Sequence, residues 1–120
     1  GNGAVEAPFI FKRGDWYYLF ASYDLCCRGE KSTYNVVVGR SKAVTGPYFD
    51  KEGVSMMNSG GTTVAKGNEQ FAGVGHCSVY TFGDKDYMFM NGYDKDHDYR
   101  SKLLVREVKW SDDGWPIVVL

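Results

Sequence analysis

The feature that most constrains this chain is an internal repeat. Phe9-Ile10-Phe11-Lys12, the turn Arg13-Gly14-Asp15 and the run Trp16-Tyr17-Tyr18-Leu19-Phe20-Ala21-Ser22-Tyr23 form one unit. Ser78-Val79-Tyr80-Thr81-Phe82, Gly83-Asp84-Lys85 and the run from Asp86 to Tyr93 answer it roughly 65–70 residues later. Each pair is two β-type runs separated by polar and glycine residues, which reads as a hairpin. A third run follows each hairpin, Asn35-Val36-Val37-Val38-Gly39-Arg40-Ser41 in the first unit and Lys102 to Trp110 in the second. A short fourth run closes each unit, Pro47-Tyr48-Phe49 in one and Pro116-Ile117-Val118-Val119 in the other. Between the units, Asp50 to Asn68 is rich in glycine and small polar residues and reads as a crossing segment. No stretch sustains a 3.6-residue period, so almost no helix is expected.

The fold class that follows is all-β: two four-stranded antiparallel propeller blades in a single partial β-propeller domain, blade one at about 5–60 and blade two at about 70–120. A blade buries its faces only against neighbouring blades. Two blades alone leave apolar outer faces, which are association surfaces. The expectation is therefore a partial propeller completed by association, with a homo-oligomer of four blades as a dimer or six as a trimer.

Composition narrows the partners. With 14 Lys and Arg against 15 Asp and Glu, the net charge is −1 and the charges are interspersed, so neither a nucleic-acid nor a membrane surface is indicated. No apolar run approaches the ~20 residues of a spanning helix, and no signal peptide opens the chain. The cysteines are three, Cys26, Cys27 and Cys77. The odd count argues against a fully paired framework, and adjacent cysteines are not expected to bond, so buried free thiols are expected.

One carboxylate stands apart. Glu6 precedes Pro8, which cannot donate to a ladder and belongs at the start of its strand, so Glu6 projects from the end of a sheet. The words around it form a series: Val5-Glu6-Ala7-Pro8, Asp15-Trp16-Tyr17-Tyr18-Leu19-Phe20, Cys26-Cys27-Arg28-Gly29, Ser32-Thr33-Tyr34, Val38-Gly39-Arg40-Ser41, Thr45-Gly46-Pro47-Tyr48, Gly75-His76 and Asp113-Gly114-Trp115-Pro116. In this order the series resembles the C-terminal two-blade portion of the endo-1,5-α-L-arabinanases of glycoside hydrolase family 43, which fold as five-bladed propellers.

The resemblance implies a second route to closure, a missing three-blade N-terminal fragment. It implies inverting acid/base hydrolysis of α-1,5-linked arabinan or arabino-oligosaccharides, part of plant cell-wall degradation, and an extracellular or periplasmic site. Such a reaction needs one carboxylic acid to protonate the leaving oxygen and one carboxylate to activate water. Glu6 falls on the family's general acid; the aspartate base and the aspartate that tunes the acid belong to earlier blades. His76 falls on a histidine at the propeller centre that helps hold calcium, weakly and largely through waters. Among the remaining polar residues, Arg40 is expected to hold Glu6 or a sugar hydroxyl. Tyr23, Ser32, Thr33 and Tyr34 offer hydroxyl and ring surface for sugar. Trp16, Trp110 and Trp115 are expected to pack between blades, and the charged run Asp94-Lys95-Asp96-His97-Asp98 to be a solvated loop. The alternative function is a non-catalytic β-propeller module that binds carbohydrate or a partner chain.

Overall fold

The computed structural model describes residues 3–120. Its strands are Val5–Arg13 (β1), Trp16–Tyr23 (β2), Asn35–Ser41 (β3), Thr62–Ala65 (β4), Phe71–Phe82 (β5), Lys85–Asp94 (β6), Arg100–Trp110 (β7) and Pro116–Ile117 (β8). They form two four-stranded antiparallel sheets, β1-β2-β3-β4 and β5-β6-β7-β8. The two hairpins are built alike. Arg13 pairs with Trp16 around Gly14-Asp15, and Phe82 pairs with Lys85 around Gly83-Asp84. Gly14 at φ +59° and Gly83 at φ +66° supply the left-handed residue that a two-residue hairpin turn needs. Helical structure among the described residues is limited to short 3-10 turns at Gly29–Lys31, Met56–Asn58 and Lys95–His97.

The first sheet departs from expectation at its outer strand. Pro47-Tyr48-Phe49 is not the fourth strand, which is β4, so the sheet runs to Ala65. Phe49 makes only isolated bridges to Arg40 and Ser55. The chain then turns away because the Asp50 carboxylate gathers the backbone N–H groups of Glu52, Val54 and Gly61 at 3.0, 2.8 and 2.9 Å. This brings the β-branched run Thr62-Thr63-Val64 against Val36 to Val38, where it pairs.

Between the sheets lies one core. Tyr18, Phe20, Val36 and Val38 from the first meet Val74, Val79, Met88 and Met90 from the second, all fully or almost fully buried. Alternation along each strand puts other apolar side chains on the far face of the second sheet. Tyr80, Phe82, Leu103 and Val105 are exposed there, and Phe82 lies 5.0 Å from Tyr80 and 6.2 Å from Phe89, ring centre to ring centre. The tryptophans pack across the two blades: Trp110 stacks on Phe11 at 6.1 Å and tilts against Tyr18 at 4.9 Å, and Trp115 meets Tyr18 edge-on at 6.4 Å.

The cysteines correct the sequence reading. Cys26 and Cys27 are disulfide-bonded to each other; only Cys77 is a buried free thiol, its pKa pushed up to about 12 by burial. The adjacent pair meets because the loop curls tightly, with Asp24 at φ +70°, Cys27 at φ +64° and Gly29 at φ +56°.

Candidate active site

Glu6 lies at the start of β1, directly across from Ser22 of β2. Pro8 offers no N–H, so the ladder breaks there: a bulge separates Glu6 from Phe9, with Ala7 at φ +52°. The second blade repeats the device. A bulge between Gly75 and Ser78 carries His76 at φ +55°. Non-glycine residues held in the left-handed region carry strain that bulges use to re-aim a side chain. Both Glu6 and His76 are exposed.

One buried hydroxyl joins them. The His76 backbone N–H donates to Ser22 Oγ at 2.8 Å, and Ser22 is wholly buried. Beneath lies Tyr34, 3% exposed, whose ring packs closely against Gly75. A Cβ at Gly75 would come within 2.2 Å of that ring, so only glycine fits. The Tyr34 carbonyl accepts the Val74 N–H at 3.0 Å, tying the two blades. Burial pushes the Tyr34 phenol above its ordinary value; the Ser22 hydroxyl opposes this, and the Glu6 carboxylate and Tyr93 add to it. The phenol therefore faces Ser22 and Glu6 together. Tyr93 in turn accepts the Cys27 N–H at 3.0 Å and reaches Cys27 Sγ at 3.4 Å through its hydroxyl.

Of the residues expected at the site, the structure gathers Glu6, His76 and Tyr34. The hydroxyls of the others are engaged elsewhere. Tyr23 donates to the Gly60 carbonyl at 2.7 Å, and burial together with Asp50 raises its pKa. Ser32 accepts the Arg28 N–H at 3.0 Å and Thr33 the Leu25 N–H at 3.1 Å, so both shape the loop after β2. Arg40 does not hold Glu6. It pairs with Tyr18, whereas Glu6 pairs with Ser22, four residues further along β2, which is roughly 13 Å along a strand. Its guanidinium lies 4.1 Å from the Trp16 ring centre and 4.4 Å from that of Trp115. It donates to the Asp113 carbonyl at 2.9 Å. Aromatic faces and backbone carbonyls at that end outcompete a distant carboxylate.

Ser22 and Tyr93 were not singled out from the sequence. Ser22 had a signal: it is the hydroxyl residue that hairpin register sets opposite Glu6. Tyr93 had none, because its role depends on a loop of the other blade. As for calcium, no group of three or more His, Cys, Asp or Glu side chains that could hold a metal exists among the described residues. One imidazole is not the oxygen cage calcium takes, so these two blades do not by themselves fit the ion.

The geometry defines the class: two adjacent propeller blades whose first strands present a carboxylate and an imidazole at one end. The chain belongs to glycosyl hydrolases family 43, whose model matches residues 1–116. It is 50% identical over 118 residues to the extracellular exo-α-(1→5)-L-arabinofuranosidase of Cellvibrio japonicus, covering 98% of this chain and 34% of that protein. It is 41% identical over 115 residues to the extracellular endo-α-(1→5)-L-arabinanase 1 of Bacillus subtilis, again 34% of the relative. Among solved structures, the α-L-arabinanase of Cellvibrio cellulosa superposes with a TM-score of 0.96 at 50% identity, over 99% of this chain and 38% of that one. The same enzyme has been solved with arabinohexaose. The chain thus spans about a third of the length of the curated relatives it matches and corresponds to a C-terminal portion of them.

Proposed function

We propose that this chain is the two-blade part of an inverting glycoside hydrolase acting on α-1,5-linked arabinan. Glu6 serves as the general acid that protonates the leaving oxygen. The base and the tuning carboxylate come from further blades, since an acid without its base forfeits most of the rate. The observation that carries the reading is the placement of Glu6, on a bulge beside His76 and above Tyr34, in a chain half identical to a named arabinofuranosidase. The exposed aromatic face of the second blade supports association, and the relatives' threefold greater length favours a three-blade complement over copies of this chain. Any calcium near His76 would need its other ligands from waters and those blades, since His76 is a single imidazole with no metal-binding group of carboxylates around it among the described residues. Both curated relatives named above are extracellular, which supports the same location for this chain.

The test is release of reducing sugar from debranched arabinan by the purified chain, alone and mixed with the N-terminal blades of the Cellvibrio japonicus relative. Light scattering reports the assembly. Hydrolysis that appears on mixing and disappears in Glu6→Gln supports the reading. Carbohydrate binding without turnover in every assembly supports the binding module instead.

A further inference from the structure

Ser22 belongs to a row on β2, Tyr18, Phe20 and Ser22, that is wholly buried in the seam between the blades. A hydroxyl stripped of water there costs free energy unless it is bonded. Its partner comes from the other blade. The bulge between Gly75 and Ser78 takes His76 and Cys77 out of register with β6, and the His76 N–H turns to Ser22 Oγ at 2.8 Å. Within its own sheet, Ser22 stands directly across from Glu6, at the last pair before the Pro8 bulge. Residues opposed in an antiparallel pair send their side chains to the same face, with Cβ atoms about 4.5–5.5 Å apart. One buried hydroxyl therefore meets both bulges, that of Glu6 across the strand and that of His76 across the seam. The other tie at this end, Val74 N–H to the Tyr34 carbonyl at 3.0 Å, lies before the second bulge and leaves the aim of His76 to Ser22.

We propose that Ser22 is a positioning residue for the general acid: its hydroxyl sets the His76 bulge against the Glu6 bulge and so fixes the Glu6 carboxyl relative to the oxygen it protonates. The inference rests on the arabinan reading above, in which Glu6 is that acid. Alanine at this position keeps the packing and removes only the acceptor of the His76 N–H. A reacting group misplaced by about 1 Å loses on the order of 10²-fold in rate.

The experiment is a leaving-group series on the chain mixed with the N-terminal blades of the Cellvibrio japonicus relative. Phenyl and 2,4-dinitrophenyl α-1,5-arabinobiosides are compared by release of the phenol. Phenol needs a proton to depart, whereas dinitrophenolate leaves without one. Ser22→Ala is expected to lower kcat on the phenyl substrate about thirtyfold and on the dinitrophenyl substrate less than about twofold, with KM unchanged on both. In a Glu6→Gln background Ser22→Ala is expected to add no further loss, because it acts through the acid. Equal losses on the two substrates, or losses that multiply in the double variant, overturn the positioning role and leave the arabinan reading intact. A wild-type assembly that hydrolyses neither substrate nor arabinan overturns that reading and this inference with it. Hydrogen exchange by NMR reads the bond in the chain alone. The His76 amide is expected to exchange at least about tenfold faster in Ser22→Ala, with the β2–β3 ladder amides unchanged. Equal His76 exchange in the two proteins overturns the proposal whatever the assembly does.

Discussion

At one end of the blade pair, Tyr18 donates to the Gly114 carbonyl at 2.5 Å and Arg40 lies between Trp16 and Trp115. At the other, Tyr34 faces Glu6 and Ser22, and His76 caps Ser22 from the neighbouring blade. Both ends join the same two sheets through a buried tyrosine. The Arg40 end is made of rings and satisfied carbonyls, with its cation covered on both faces. The Glu6 end carries two bulges with non-glycine residues at positive φ and leaves its carboxylate and imidazole exposed. Strain and unspent polar groups collect at the end where the proposed function puts the sugar, and stacking collects at the other.

The sharpest way to break this contrast is Glu6→Gln. The substitution keeps shape and removes the proton donor, so kcat of the arabinan-active assembly should fall about 10²–10⁴-fold. The melting temperature should not move, because Glu6 is exposed. A variant with half the wild-type turnover would remove Glu6 from the chemistry.

Arg40→Ala should do the reverse. It removes contacts to two rings and a charged hydrogen bond, costing about 2 kcal/mol of stability in a denaturant titration. Affinity for arabino-oligosaccharide should be unchanged. Lysine should recover little, lacking the planar fork that lies between two rings. If sugar affinity falls in step with stability, the two ends are not separate.

Tyr34→Phe lies between these. The ring keeps its place on Gly75, and only the hydroxyl facing Glu6 and Ser22 is lost. A fall in kcat of about tenfold with KM unchanged is expected, together with about 1 kcal/mol of stability. A change in KM alone would make Tyr34 a sugar contact rather than a group that positions Glu6.

Much of this contrast was legible before any coordinates. Gly-Asp turns and alternating runs gave the hairpins, and Pro8 placed Glu6 at a sheet end. Local chemistry is written locally. What escaped depended on the far side of the molecule. Phe49 looks like a strand residue, yet Asp50 turns the chain and Thr62 to Ala65 takes the vacant edge. Arg40 looked free because its partners, Trp115 and the Asp113 carbonyl, are more than seventy residues away. Tyr23, Ser32 and Thr33 were credited to sugar by residue type, and residue type alone does not show that their hydroxyl oxygens also bond backbone groups of blade one.

The smallest expected effect concerns the segment that runs along blade one between the two ends. Phe49 exchanges backbone hydrogen bonds with Arg40 at one end of it, and Gly60 receives the Tyr23 hydroxyl at the other. Asp50 organises it. Burial works to raise the Asp50 pKa, but the N–H groups of Gly61, Val54, Glu52 and Gly53 prevail and hold it below the ordinary carboxylate value. A carboxyl whose folded pKa lies below its unfolded one contributes stability in full above the unfolded value, about 3.9, and loses it as pH falls through the folded one. Asp50→Asn keeps an acceptor for Val54 and Glu52 but turns an amide donor toward the Gly61 N–H. The variant should therefore be about 1 kcal/mol less stable than wild type at pH 7. The gap should shrink as pH drops below about 4. Denaturant titrations of both proteins between neutral and acid pH measure it, and a gap independent of pH would mean the Asp50 charge plays no part. Because the segment touches both ends, sugar titration of the same variant sharpens the comparison: unchanged affinity shows that the Glu6 end is held by its own Ser22–Tyr34–His76 contacts and not by the loop outside.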